Sequence, residues 1–151
     1  MKSKVVEDAD VVTYVVVCDP GEDAVAALQQ FARSEQLEAA QITAIGAFEH
    51  ATVGWFDRET EQYRRIAVDQ QCELLSLIGD VAVGEDGPVL HMHVVLGLSD
   101  GTTRGGHLLE ARVFPTLEAV VTENPAYLRK VLRPDIGIAL IDLDQSQGVT
   151  G

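Results

Sequence analysis

Cysteine and lysine are scarce in this chain, two and three respectively in 151 positions. Cys18 and Cys72 stand 54 residues apart (72 − 18 = 54) and belong to no C-x-x-C pair. That spacing supports neither a disulfide framework nor a thiolate zinc site, and both thiols read as small core residues. Three Lys and eight Arg face twelve Asp and twelve Glu, so the formal charge is 11 − 24 = −13. A surface this negative repels nucleic-acid phosphates and anionic lipid, and no basic patch interrupts it. Also missing is any run of roughly 18 uncharged apolar residues able to span a bilayer, and Met1–Asp10 lacks a secretory apolar region. The expectation is a cytoplasmic protein with no membrane contact. No G-x-S-x-G, P-loop, G-x-G-x-x-G or H-E-x-x-H pattern occurs, which leaves hydrolase-triad, nucleotide and zincin chemistries without support.

What is present is a folded chain, 46% apolar and 23% charged, with no internal repeat or linker. The length fits a single domain, residues 1–151. Val11–Cys18 is a β-branched run expected to form a buried strand. Asp19 as cap, Pro20 at the first helical position and Glu22 three residues after the cap predict a helix through about Gln36. Short β-rich segments follow at Gln41–Ala47, Ala51–Phe56, Tyr63–Val68, Glu73–Val83, Val89–Leu98 and Thr102–Val113, with turns at Gly84–Pro88 and Ser99–Gly101. Phe114–Val121 is apolar and ambiguous, Asn124-Pro125 breaks the chain, Ala126–Leu132 reads as a short helical segment and Ile136–Leu143 as a last strand. The fold class is α+β, an antiparallel sheet flanked by a few helices.

Three of four histidines fall close together, His91 and His93 two apart on one strand face and His107 after Gly105-Gly106. A two-residue Asp100-Gly101 loop would set His107 opposite Val94, on the other face. A three-residue Ser99-Asp100-Gly101 loop with a left-handed Gly101 would set it opposite His93. In the second register three neutral imidazoles form a site for a borderline-soft divalent ion, zinc first, with a fourth position open. From spacing alone a hydrogen-bonded surface pair at His91 and His93 fits as well. Occupancy of such a site should fall as pH drops through roughly 6 to 7. His50 reads as a turn residue, and Met92 and Trp55 as packing residues. Glu73 and Glu110 interrupt apolar runs, where ion pairing to Arg64, Arg65, Arg104 or Arg112 is the expected use and an acid/base role beside a metal-bound water the alternative.

Ile45-Gly46-Ala47, Ala51–Asp57, Cys72–Gly79, Leu90-His91-Met92-His93 and Gly105–Glu110 together resemble the PPC domain, the plants and prokaryotes conserved domain, in its prokaryotic stand-alone form. The resemblance covers nearly the whole chain in order. It implies an antiparallel sheet flanked by helices, a homotrimer, and a metal held by His91, His93 and His107. The family is commonly labelled DNA-binding because plant members add AT-hook motifs, but no R-G-R-P core occurs here. The plant partner-contact motif G-R-F-E-I-L corresponds to Gln70–Leu75, where only Glu73 and Leu75 agree. The expected function is therefore a metal-binding assembly or regulatory module that associates with itself and with protein partners and has little direct DNA affinity. A small three-histidine metalloenzyme is the alternative.

Overall fold

A computed structural model describes the backbone of residues 2–7 and 11–147 and the side chains of residues 11–147, so the sequence reading of Met1–Asp10 lies largely outside it. Nine strands and one helix make up the described residues: β1 (Lys2–Glu7), β2 (Val12–Cys18), α1 (Ala24–Ser34), β3 (Ala39–Asp57), β4 (Gln62–Val68), β5 (Cys72–Gly84), β6 (Gly87–Gly97), β7 (Thr103–Glu123), β8 (Tyr127–Arg133) and β9 (Ile138–Gln147). The α+β expectation holds in its antiparallel sheet but not in its few helices, since α1 stands alone against a mostly β structure.

Two long strands organise the sheet. Along one edge β7 pairs with β6 over Thr103–His107 and with β2 over Leu117–Glu123, while its other edge pairs with β3. The second strand, β3, divides its free edge between β5 over Ala39–Phe48 and β4 over Ala51–Asp57. Because β6 also pairs with β5, the four strands β3, β5, β6 and β7 close a ring of hydrogen-bonded neighbours. Strands β1 and β2 extend it on one side, and the β8–β9 ribbon on the other through a parallel partnership of Val83 with Arg129.

Alternation sets the two faces. Ile42, Ala44, Val53, Leu77, Val94, Leu108, Ala119 and Val121 point inward and are buried. Helix α1 presses Ala24, Leu28, Phe31 and Ala32 into the same core. Cys18 and Cys72 are buried there too, and burial pushes the Cys18 thiol up to about 11, so both behave as the core residues their spacing suggested.

Four local expectations are corrected. The helix begins at Ala24, capped by Asp23, whose Oδ1 accepts from the Ala26 amide at 2.7 Å. The Asp19–Glu22 pairing exists, with the Asp19 amide donating to Glu22 Oε2 at 2.8 Å, but it closes a turn because Gly21 takes φ 85°. The stretches Gln41–Ala47 and Ala51–Phe56 are one continuous strand, kinked by register shifts, so His50 is a strand residue opposite Arg112 and not a turn. Phe114–Val121 completes β7. Ala126–Leu132 is not helical: six ladder partners on β9, from Tyr127↔Gln147 to Arg133↔Ile138, override the helix-favouring Leu-Arg-Lys composition.

Candidate metal centre

The outward face carries the polar chemistry. A single row of strand partners crosses it, Val120, Thr43, Ile78, His93, His107 and Gly54, each directly opposite the next. The three-residue loop sets this register. The Leu98 amide donates to the Thr102 carbonyl at 2.8 Å, the Gly101 amide to the Leu98 carbonyl at 2.9 Å, and Gly101 takes φ 81°. His93 consequently faces His107, and His91, two residues from His93, lies beside both.

One ring nitrogen from each of His91, His93 and His107 falls within a mutual 4.8 Å. The His91 and His93 Nε2 atoms are 3.0 Å apart, and the His91 and His107 ring centroids 5.3 Å. His107 Nδ1 is buried and has no hydrogen-bond partner, an arrangement that costs free energy unless something else occupies the nitrogen. Burial first, then the nearby His91, His93 and Lys130, depress the His107 pKa to about 4. Burial and then Lys130 also lower that of His91, against the opposing pull of Asp80. Both imidazoles are therefore held neutral, the form that ligates a metal. This donor set fits a divalent ion.

Close backbone packing makes room for the cluster. A Cβ on Gly106 would come 2.6 Å from the Gly54 carbonyl oxygen, and one on Gly105 2.8 Å from that of Val94. Gly54, with no side chain of its own, admits the Tyr63 ring, which stacks on His107 at 4.7 Å and 27°.

Neither acid singled out in the sequence joins the histidines. Glu110 accepts from Thr52 Oγ1 at 2.9 Å and pairs with Arg65 at 3.1 Å, and these contacts hold its carboxyl below the usual range. Ion pairing is thus the use observed, with Arg65 the partner. Glu73 is exposed five residues along β5 from Ile78, which faces His93. The carboxylate beside the cluster is Asp80, opposite His91 across β5 and β6, with Oδ2 3.8 Å from His91 Nδ1. Its Oδ1 lies 2.6 Å from Nζ of Lys130, a β8 residue only 4% exposed. Sequence reasoning missed both. The signal for Asp80 was available, because a two-residue Glu85-Asp86 loop pairing Gly84 with Gly87 carries the register back to Asp80 and His91.

These features define a class: a β-ring domain displaying a three-histidine cluster on its outer face. Residues 7–125 match the model of the Plants and Prokaryotes Conserved (PCC) domain, and the chain belongs to that family. A plant- and prokaryote-conserved (PPC) protein of Pyrococcus horikoshii is 32% identical, with TM-score 0.81 over 86% of this chain and 90% of its own. A metal-containing protein of Archaeoglobus fulgidus is 30% identical, with TM-score 0.80 over 93% and 96%. A Bacteroides thetaiotaomicron protein provisionally named DNA-binding is 25% identical, with TM-score 0.87 over 95% and 99%. The Bifunctional protein GlmU of a Synechococcus strain is 31% identical over 126 residues, which are 82% of this chain and 19% of that protein. The chain thus spans about a fifth of the length of that curated relative. No helix among the described residues is long and apolar enough to cross a membrane.

Proposed function

We propose that this protein is a homotrimeric metal-binding PPC-domain module, serving assembly or regulation, with His91, His93 and His107 as ligands of a zinc-like divalent ion. The observation that carries the metal reading is the convergence of three imidazole nitrogens within 4.8 Å, one of them on a neutral His107 with a buried, unpartnered Nδ1. Three nitrogen ligands suit zinc and leave one position for water or a group from a partner. The relative named as metal-containing favours the same reading. Self-association is favoured by a wide apolar area on the outward face, where Ile45, Leu75 and Ile78 are 62%, 54% and 58% exposed.

The metalloenzyme alternative needs a free carboxylate near the ion. Glu73 and Glu110 lie outside the cluster, and Asp80 is engaged by Lys130, so a binding role is the better supported. Elemental mass spectrometry of protein purified without chelator tests the proposal. About one divalent ion per chain, zinc foremost, is the expected result, and a protein that stays metal-free after incubation with zinc and desalting overturns it.

A further inference from the structure

Asp80 and Lys130 form a pair that a metal-binding surface does not require. Asp80 projects from β5 on the same face as the histidines and directly opposite His91, while Lys130 reaches it from the β8–β9 ribbon, beyond the residues that the family model matches. The ammonium is almost fully enclosed, 2.6 Å from Asp80 Oδ1 and 3.5 Å from the Val89 carbonyl oxygen. With Oδ1 committed to the ammonium, Oδ2 is the oxygen left to face His91 Nδ1, at 3.8 Å. The other nitrogen of that ring, Nε2, points into the cluster at 3.0 Å from His93 Nε2.

We infer, building on the metal-site reading, that Asp80 is a positioning residue for His91: clamped by Lys130, it selects the Nδ1–H tautomer and so leaves Nε2 unprotonated toward the ion. At 3.8 Å the contact is an electrostatic approach, longer than a hydrogen bond, that favours a proton on the ring nitrogen facing the carboxylate. A histidine that donates its remote N–H to a carboxylate is oriented and made more basic toward a metal, and loss of such a partner typically lowers affinity by about 10- to 100-fold. Lys130 neutralises the carboxylate and ties its geometry to the docking of β8. A ribbon beyond the residues matched by the family model thereby supports the ligand set.

Two variants separate positioning from plain structural support. Lys130→Met keeps the acceptor, whereas Asp80→Leu combined with Lys130→Met removes it without leaving a buried charge. Long-range nitrogen–proton spectra of the metal-free protein read the tautomer, and chelator competition reads zinc affinity. In wild type and Lys130→Met, His91 should be the Nδ1–H form. The double variant should shift toward Nε2–H and lose roughly tenfold or more in zinc affinity relative to Lys130→Met. A double variant matching Lys130→Met in tautomer and affinity overturns the inference. So does a wild-type His91 already in the Nε2–H form, a result that needs no variant to fold. The tautomer is read without metal, so wild-type protein that shows Nδ1–H but takes up no zinc would sink the metal reading while leaving the Asp80–His91 contact intact.

Discussion

His93 and His107 are direct partners across β6 and β7, and a three-residue loop that begins six positions beyond His93 is what makes them so. Side chains alternate along a strand, so a slip of one residue would carry His107 to the inward face. Deleting Thr102, which keeps the three-residue loop but moves β7 by one place so that His107 falls opposite Val94, should therefore abolish stoichiometric metal binding. Metal analysis and circular dichroism of the deletion variant check this, and unchanged zinc content in a folded variant would refute the register argument. Gly101→Val, by forcing a β-branched residue to φ 81°, should cost on the order of 1–3 kcal/mol in a denaturant titration.

The low His107 pKa fixes a pH window. In the unfolded chain the imidazole takes its proton near 6.5, whereas in the folded protein it does so only near 4. Between those values the unfolded state binds more protons, so the metal-free protein should lose stability as pH falls from about 6.5 to 4. His107→Phe should flatten that part of the profile, and denaturation midpoints measured in chelator at several pH values provide the check. A slope unchanged by the substitution would contradict the burial argument. Because His91 and His107 both resist protonation, metal loss on acidification should also begin below the pH of 6 to 7 expected for free histidines.

The histidine cluster was legible because strand alternation and turn chemistry are local rules. His91 and His93 share a face by spacing, and Gly101 decides between two enumerable registers. What remained hidden depends on distant partners. Lys130 lies 50 residues from Asp80 (130 − 80 = 50), on a strand whose composition suggested a helix until β9 paired with it. The helix start moved from Asp19 to Asp23 because the Gly21 amide donates to the Val113 carbonyl and the Val113 amide to that of Glu22, contacts invisible in a capping pattern. Continuity of β3 through Phe48-Glu49-His50 was likewise set by its long partner β7.

The outward apolar area should be an interface between copies. Ile45 and Leu75 line a shared hollow and remain more than half exposed, a costly arrangement for a solitary chain. Sedimentation equilibrium should give three times the 16.3 kDa chain mass, and Ile45→Glu with Leu75→Glu should shift it toward monomer. A monomer mass for the wild-type protein across a broad concentration range would remove the trimer.

Affinity for duplex DNA should be poor at physiological salt, although a relative carries a DNA-binding name. Non-specific affinity comes from Lys and Arg displacing counterions from phosphates, and a module making about 6 to 10 such contacts needs a dense basic face. Four of the eleven cations are already engaged: Arg65 pairs with Glu110, Lys130 with Asp80, Arg133 with Asp135, and Arg64 lies over the Trp55 ring. A trimer would carry 3 × −13 = −39 formally, and one divalent ion per chain would return only 3 × 2 = +6. Repulsion should dominate the encounter. Mobility-shift titrations of an AT-rich duplex at about 150 mM salt should show no binding tighter than the non-specific range of ~10⁻⁴ to 10⁻⁶ M. Retention at sub-micromolar protein, weakening as salt rises, would mean that the assembled surface gathers the scattered Arg residues into a patch and would overturn the charge argument.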